Sequence, residues 1–123
     1  MSDADRQLFN EAVAIAERAY APYSEFCVGA AVRARDGRVF SGVNVENAAY
    51  PLGICAEKAA LAHALAEGCR PGELEAIAIT ASPCGGCRQW LVEFGLERVI
   101  YARAGGEVVA ATPAELLPDT FEL

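Results

Sequence analysis

Apolar residues recur at three- and four-residue steps near the start of the chain, at Leu8, Ala12, Ile15, Ala16 and Ala19. That period puts them on one helix face and predicts an amphipathic helix over residues 3–20. "APYSEF" interrupts it, because Pro22 disfavours helix in the residue before it. "CVGAAVRAR" and "RVFSGVN" flank Asp36-Gly37, a two-residue hairpin signal, and read as two antiparallel strands. "VENAAYPLGI" is irregular and polar at its start. "CAEKAALAHALAEG" has strong helix formers and closes on Gly68, suited to the position just past a helix end.

Beyond the loop "GCRPGE", "LEAIAITA" is a short and nearly continuous apolar run, as in a strand buried on both faces. "SPCGG" turns the chain, and "CRQWLVEFG" reads as a helix ending at Gly95. "ERVIYAR" and "EVVAAT" are two more strands around Ala104-Gly105-Gly106, and "PAELLPDTFEL" holds one helical turn. The order α β β α β α β β describes an α/β protein with a five-stranded mixed sheet covered by helices.

The 123 residues fit one domain, 1–123, and the composition (54 % apolar, 22 % charged) is globular. So apolar a chain of this size leaves much apolar surface uncovered, and subunit contacts are expected. The net charge of −7, with no run of Lys or Arg, argues against a nucleic-acid partner and suits a small neutral substrate. No stretch is long and apolar enough to span a bilayer. The acidic start "MSDADRQLFN" lacks the basic flank and apolar run of a signal peptide, so the cytoplasm is expected. Five cysteines in that compartment read as thiols, ligands or catalysts and not as a disulfide frame.

Cys55, Cys84 and Cys87 carry the candidate chemistry. Cys55 and Cys84 fall at expected helix starts, whose positive partial charge stabilises thiolates. Three protein ligands leave a fourth zinc position for water, which is the catalytic pattern. Glu57, two residues beyond Cys55, is placed to handle protons without ligating the metal. The same spacing, a ligand followed two residues later by Glu and then by a distant P-C-x-x-C, marks zinc deaminases of nucleobases.

Two other readings compete. CGGC also resembles a thiol–disulfide oxidoreductase site, but that leaves Cys55-Ala56-Glu57 without a role. A structural zinc site needs a fourth protein ligand. The single histidine, His63, lies eight residues past Cys55, about 12 Å along a helix, and reads as a partly buried helix residue. Cys27 and Cys69 read as small hydrophobes, and Trp90, Leu91 and Phe94 as core or subunit contacts.

Together, "PYSEFCVGAAV", "GVNVENAAYPLGICAE" and "PCGGCRQ" resemble, in the same order, segments of the small homotetrameric zinc-dependent cytidine deaminases. The resemblance covers nearly the whole chain. It implies the three-layer cytidine-deaminase-like fold, one zinc ion per subunit, and hydrolytic deamination of cytidine and deoxycytidine in pyrimidine salvage. By this resemblance Cys55, Cys84 and Cys87 match the zinc ligands and Glu57 the proton shuttle. Asn44 and Glu46 match residues bonding the sugar hydroxyls, and Phe26 an aromatic packed on the pyrimidine. Ala56 would offer its backbone amide to the base. Tyr50 and Phe121 match positions reaching a neighbour's active site in a homotetramer. An alternative within the same chemistry is a deaminase of another aminopyrimidine nucleoside, of the blasticidin S type.

Two departures stand out. Cys27 replaces the family's frequent Pro, and Lys58 replaces the Arg that commonly follows the catalytic Glu. Three thiolates around a divalent cation leave the centre negative, which opposes acidification of bound water. Lys58 and Arg88 are the candidate compensating charges, and Lys lacks the two-pronged geometry of Arg.

Overall fold

The computed structural model describes residues 1–123. Helix α1 (Asp3–Ala16) is followed by strands β1 (Gly29–Ala34) and β2 (Val39–Val43), helix α2 (Ala56–Ala66) and strand β3 (Leu74–Ile79). Helix α3 (Gly85–Glu93), strands β4 (Arg98–Ala102) and β5 (Val108–Ala111) and the single turn α4 (Pro113–Leu116) complete it. The strands form one mixed sheet in the order β2-β1-β3-β4-β5. Only β3 and β4 run parallel, and every other neighbouring pair is antiparallel.

Alternation along β1 assigns its two faces. Ala31 joins Leu8 and Ala12 of α1, with Ala76, Ala78 and Ile100, in the smaller core. Ala30, Val32 and Ala34 point the other way, into the larger core shared with α2 and α3. β1, β3 and β4 are therefore covered on both sides, which is why "LEAIAITA" reads as a continuous apolar run. The result is the expected three-layer arrangement.

Two glycines set how closely the helices approach. A β-carbon on Gly29 would lie 2.1 Å from the Ala12 carbonyl oxygen of α1. One on Gly42 of β2 would lie 2.3 Å from the Ala60 nitrogen of α2. Gly42 thus lets α2 rest on the sheet backbone, and this fixes the height of the helix start that carries Cys55 and Glu57.

Element ends follow local chemistry. The hairpin at Asp36-Gly37 forms, but through a three-residue loop, Arg35-Asp36-Gly37, and not a two-residue one: Ala34 N–H donates to Arg38 O at 2.8 Å and Gly37 N–H to Ala34 O at 3.0 Å, with Gly37 alone at positive φ, +95°. α2 ends in a Schellman arrangement: Cys69 N–H donates to Ala64 O and Gly68 N–H to Leu65 O, both at 3.0 Å, with Gly68 at φ +102°. Cys69 follows into the core as a buried small hydrophobe. α1 stops at Ala16, short of the expected residue 20. Tyr20 leaves the helix to pair with the segment after β2, donating to Asn44 O at 3.0 Å and accepting from Glu46 N–H at 2.8 Å. His63 is exposed rather than half-buried, its ring edge-on to Phe40 and Nδ1 3.0 Å from Ser41 O.

Candidate active site

Cys55 is the residue capping the start of α2, and Cys84 caps the start of α3. Cys87 lies in the first turn of α3 and is fully buried. The three sulfurs lie within 4.8 Å of one another, and those of Cys55 and Cys84 are 3.9 Å apart. Two sulfurs tetrahedrally bound to one zinc at about 2.3 Å are separated by about 3.8 Å, so this set fits the ion.

Electrostatics agree with that fit. The Cys55 thiol is pulled down to about 6, chiefly by its hydrogen bond with Cys87, against burial, with help from Cys84 and the Lys58 charge. Cys87 is pushed up by the same bond with Cys55, then by burial and the Glu57 charge. Once Cys55 is a thiolate, held by hydrogen bonds from its two neighbours, it opposes a second negative charge on Cys87, and a divalent cation among the sulfurs removes that opposition.

Glu57 is the second residue of α2 and only 3 % exposed. Burial raises its pKa most; the neighbouring Cys55 raises it too, and its own backbone N–H, Cys87 and Lys58 pull the other way. A carboxyl held above its ordinary range accepts and returns a proton more readily near neutral pH.

Cys55, Cys84 and Glu57 line a cavity of about 820 Å³ whose wall also includes Phe26, Asn44, Glu46, Tyr50 and Ala56. Ala56 opens α2, so its N–H has no partner within the helix. Asn44 accepts from Val28 N–H at 2.8 Å and donates to Phe26 O at 2.9 Å. Glu46 accepts from the N–H groups of Tyr23 and Ser24 at 2.9 and 3.1 Å. No Lys, Arg or His lines the cavity.

Tyr50 starts a 3-10 turn (Tyr50–Leu52) on the rim and is 90 % exposed. Phe121 lies outside the cavity wall and is 71 % exposed. Lys58 and Arg88 separate. The Lys58 ammonium stands 5.8 Å from the Trp90 ring centre, and its charge acts on Cys55 and Glu57. The Arg88 guanidinium instead donates to Pro83 O at 2.9 Å, Leu116 O at 3.0 Å and Ser82 Oγ at 3.3 Å, joining α3 to α4. Sequence reasoning missed Tyr23, Ser24, Ala81 and Ser82 as wall residues.

The gathering of three thiols from two helix starts beside a buried carboxyl defines a zinc-dependent hydrolytic enzyme of the deaminase class. Residues 2–103 match the cytidine and deoxycytidylate deaminase zinc-binding region. Cytidine deaminase from Halalkalibacterium halodurans is 44 % identical over 126 aligned positions, covering 95 % of this chain and 94 % of its own. That from Sporosarcina psychrophila is 41 % identical, covering 94 % of this chain and 89 % of its own. The crystal structure of cytidine deaminase from Burkholderia pseudomallei superimposes with a TM-score of 0.89 at 46 % identity, covering 98 % of this chain and all of that one. This chain belongs to the cytidine deaminase family, and zinc is its cofactor.

Proposed function

We propose that this single catalytic domain, residues 1–123, converts cytidine and deoxycytidine to uridine and deoxyuridine with release of ammonia, in cytoplasmic pyrimidine salvage. The observation that carries this reading is Glu57, buried beside the three-sulfur cluster and facing a cavity without a single cationic side chain. A phosphate would find no counter-charge in that wall, so a nucleoside suits it better than a nucleotide.

Cys55, Cys84 and Cys87 would hold the zinc. The bound ion supplies positive charge that acidifies water. Glu57 takes a proton from the attacking water and delivers it to the ring nitrogen. The water oxygen joins C4, the C4–N bond breaks, and a second proton passing through Glu57 lets the amine leave as ammonia. The Ala56 N–H donates to the base, Phe26 packs on its ring, and Asn44 and Glu46 bond the sugar hydroxyls. Lys58 offsets the thiolate charge. Arg88, occupied by its carbonyl partners, keeps the α3 start in place.

Large apolar side chains crowd the rim: Tyr23, Tyr50, Leu52 and Ile54 are all exposed in the isolated chain. Such an area favours burial against another copy. We assign the assembly as a homotetramer in which Tyr50 and Phe121 reach a neighbour's site, with sedimentation equilibrium as its test. A single-chain mass at assay concentration would refute it. The activity is tested by ultraviolet absorbance of cytidine with the purified protein, before and after metal stripping. Loss of cytidine absorbance that stops on stripping and returns with zinc is expected. No change with the zinc-loaded protein would exclude cytidine.

A further inference from the structure

The hydroxyl of Ser24 occupies a place that the reaction scheme above does not use. It donates to Glu46 Oε2 and accepts from the Phe26 N–H at 3.0 Å. A hydroxyl has one proton, and Phe26 N–H requires one of its lone pairs, so the direction of both bonds is fixed. Phe26 O in turn accepts from Asn44 Nδ2 at 2.9 Å. Glu46, Ser24, Phe26 and Asn44 thus form one connected chain of hydrogen bonds along the cavity wall.

The backbone between them is unusual. Glu25, exposed and not a glycine, has φ 61°. That left-handed turn carries the chain from Ser24 to Phe26 while the Ser24 hydroxyl bridges back to Phe26 N–H. Ordinary solvated carboxylates are not met by three donors from one neighbouring loop. Glu46 is, with two backbone N–H groups on Oε1 and the hydroxyl on Oε2. A carboxylate has about four acceptor positions, so about one stays free, and it lies on the oxygen that Ser24 holds.

We infer that Ser24 is a positioning residue for sugar recognition, orienting Glu46 so that its remaining lone pair faces the sugar, and tying that carboxylate to the aromatic Phe26. Its bond to a charged acceptor is of the stronger kind. The same bond is the largest cause lowering the Glu46 pKa, which keeps the carboxylate ionised. This inference rests on the reading that Glu46 bonds a sugar hydroxyl.

The test compares kcat/KM for cytidine with kcat/KM for 2′,3′-dideoxycytidine, which lacks both ring hydroxyls. Wild-type protein is expected to prefer cytidine. In Ser24→Ala that preference falls roughly tenfold, the scale of one hydrogen bond to a charged group. Ser24→Thr, which keeps the hydroxyl, restores it. Ser24→Cys, nearly the same shape with a weak donor, should follow Ser24→Ala and serves if the alanine variant does not fold. An equal loss on both substrates, or an unaltered preference in both Ser24→Ala and Ser24→Cys, overturns the positioning role while leaving Glu46 intact. Absence of any preference in the wild-type protein would overturn the reading of Glu46 itself.

Discussion

The ammonium of Lys58 stands over the ring of Trp90, 5.8 Å from its centre. It is also close to the CGGC turn, 3.9 Å from where a β-carbon on Gly86 would lie. The ring face holds the cation, and the cation faces the ligand cluster. In metal-free protein, Cys55 becomes a thiolate as pH rises through about 6. Lys58→Gln removes one cause of that lowering, so the transition moves to higher pH. Thiolate absorbance or alkylation rate against pH would record it, and zinc affinity should fall in parallel. An unmoved transition would show that the sulfurs need no help from Lys58. Trp90→Leu should give the same direction with a smaller shift.

Glu57 is asked to move two protons, so Glu57→Gln tests that directly. The amide keeps the shape and gives up the titration. Turnover should fall about 10²–10⁴-fold, the range for a general acid–base group. Zinc content, read by metal analysis, should stay at one per chain.

Gly42→Ala should cost stability although it adds one methyl group. The new β-carbon would meet backbone of α2, at 2.3 Å from Ala60 N and 2.8 Å from Ala56 O. Backbone cannot rotate out of the way as a side chain does. Overpacking of this kind costs about 1–3 kcal/mol. A denaturant midpoint lowered accordingly is expected, and turnover should fall as well because α2 carries Glu57. Gly105→Ala, with open space around its β-carbon and far from the ligand cysteines in the chain, is the control.

Asp5 makes a pH prediction. It is 2 % exposed, with the Arg98 guanidinium 3.0 Å and the Arg33 guanidinium 3.1 Å from Oδ1. Burial alone would raise its pKa, but hydrogen bonds from Arg98 and Arg33 outweigh it and hold the carboxyl at about 2. A carboxyl depressed by folding contributes stability that is complete above its unfolded value near 4. That contribution is lost as pH falls from about 4 to about 2. It amounts to about 2 kcal/mol at most, since Arg98 is partly exposed to solvent. Asp5→Asn should be less stable at pH 7 and should show a shallower decline in acid, read from urea midpoints at each pH.

Much of this was legible in the chain because its causes are short-range. Arg35-Asp36-Gly37 closes its hairpin within three residues, and Gly68 and Gly95 close their helices with positive φ. Cys55-Ala56-Glu57 and the CGGC turn announce the metal chemistry within a few positions each. What stayed hidden depends on distant partners. Ser24 acts on a carboxylate 22 residues away through a left-handed turn at a non-glycine residue. The early end of α1 is decided by Asn44 and Glu46, which draw Tyr20 away. Arg88 sits one residue past a ligand and suggests a role in charge balance. Its guanidinium instead reaches a carbonyl of the tail, 28 residues on, which no local pattern reveals.

Cys55 and Cys84 are 29 residues apart in sequence, and between them run all of α2 and β3. An ion shared by their sulfurs closes that span as a rivet does, holding together two helix starts that no disulfide joins. Its binding free energy is then part of the folding free energy. Melting temperature should therefore rise and fall with free zinc concentration. A thermal melt becomes a gauge of metal occupancy that needs no substrate at all.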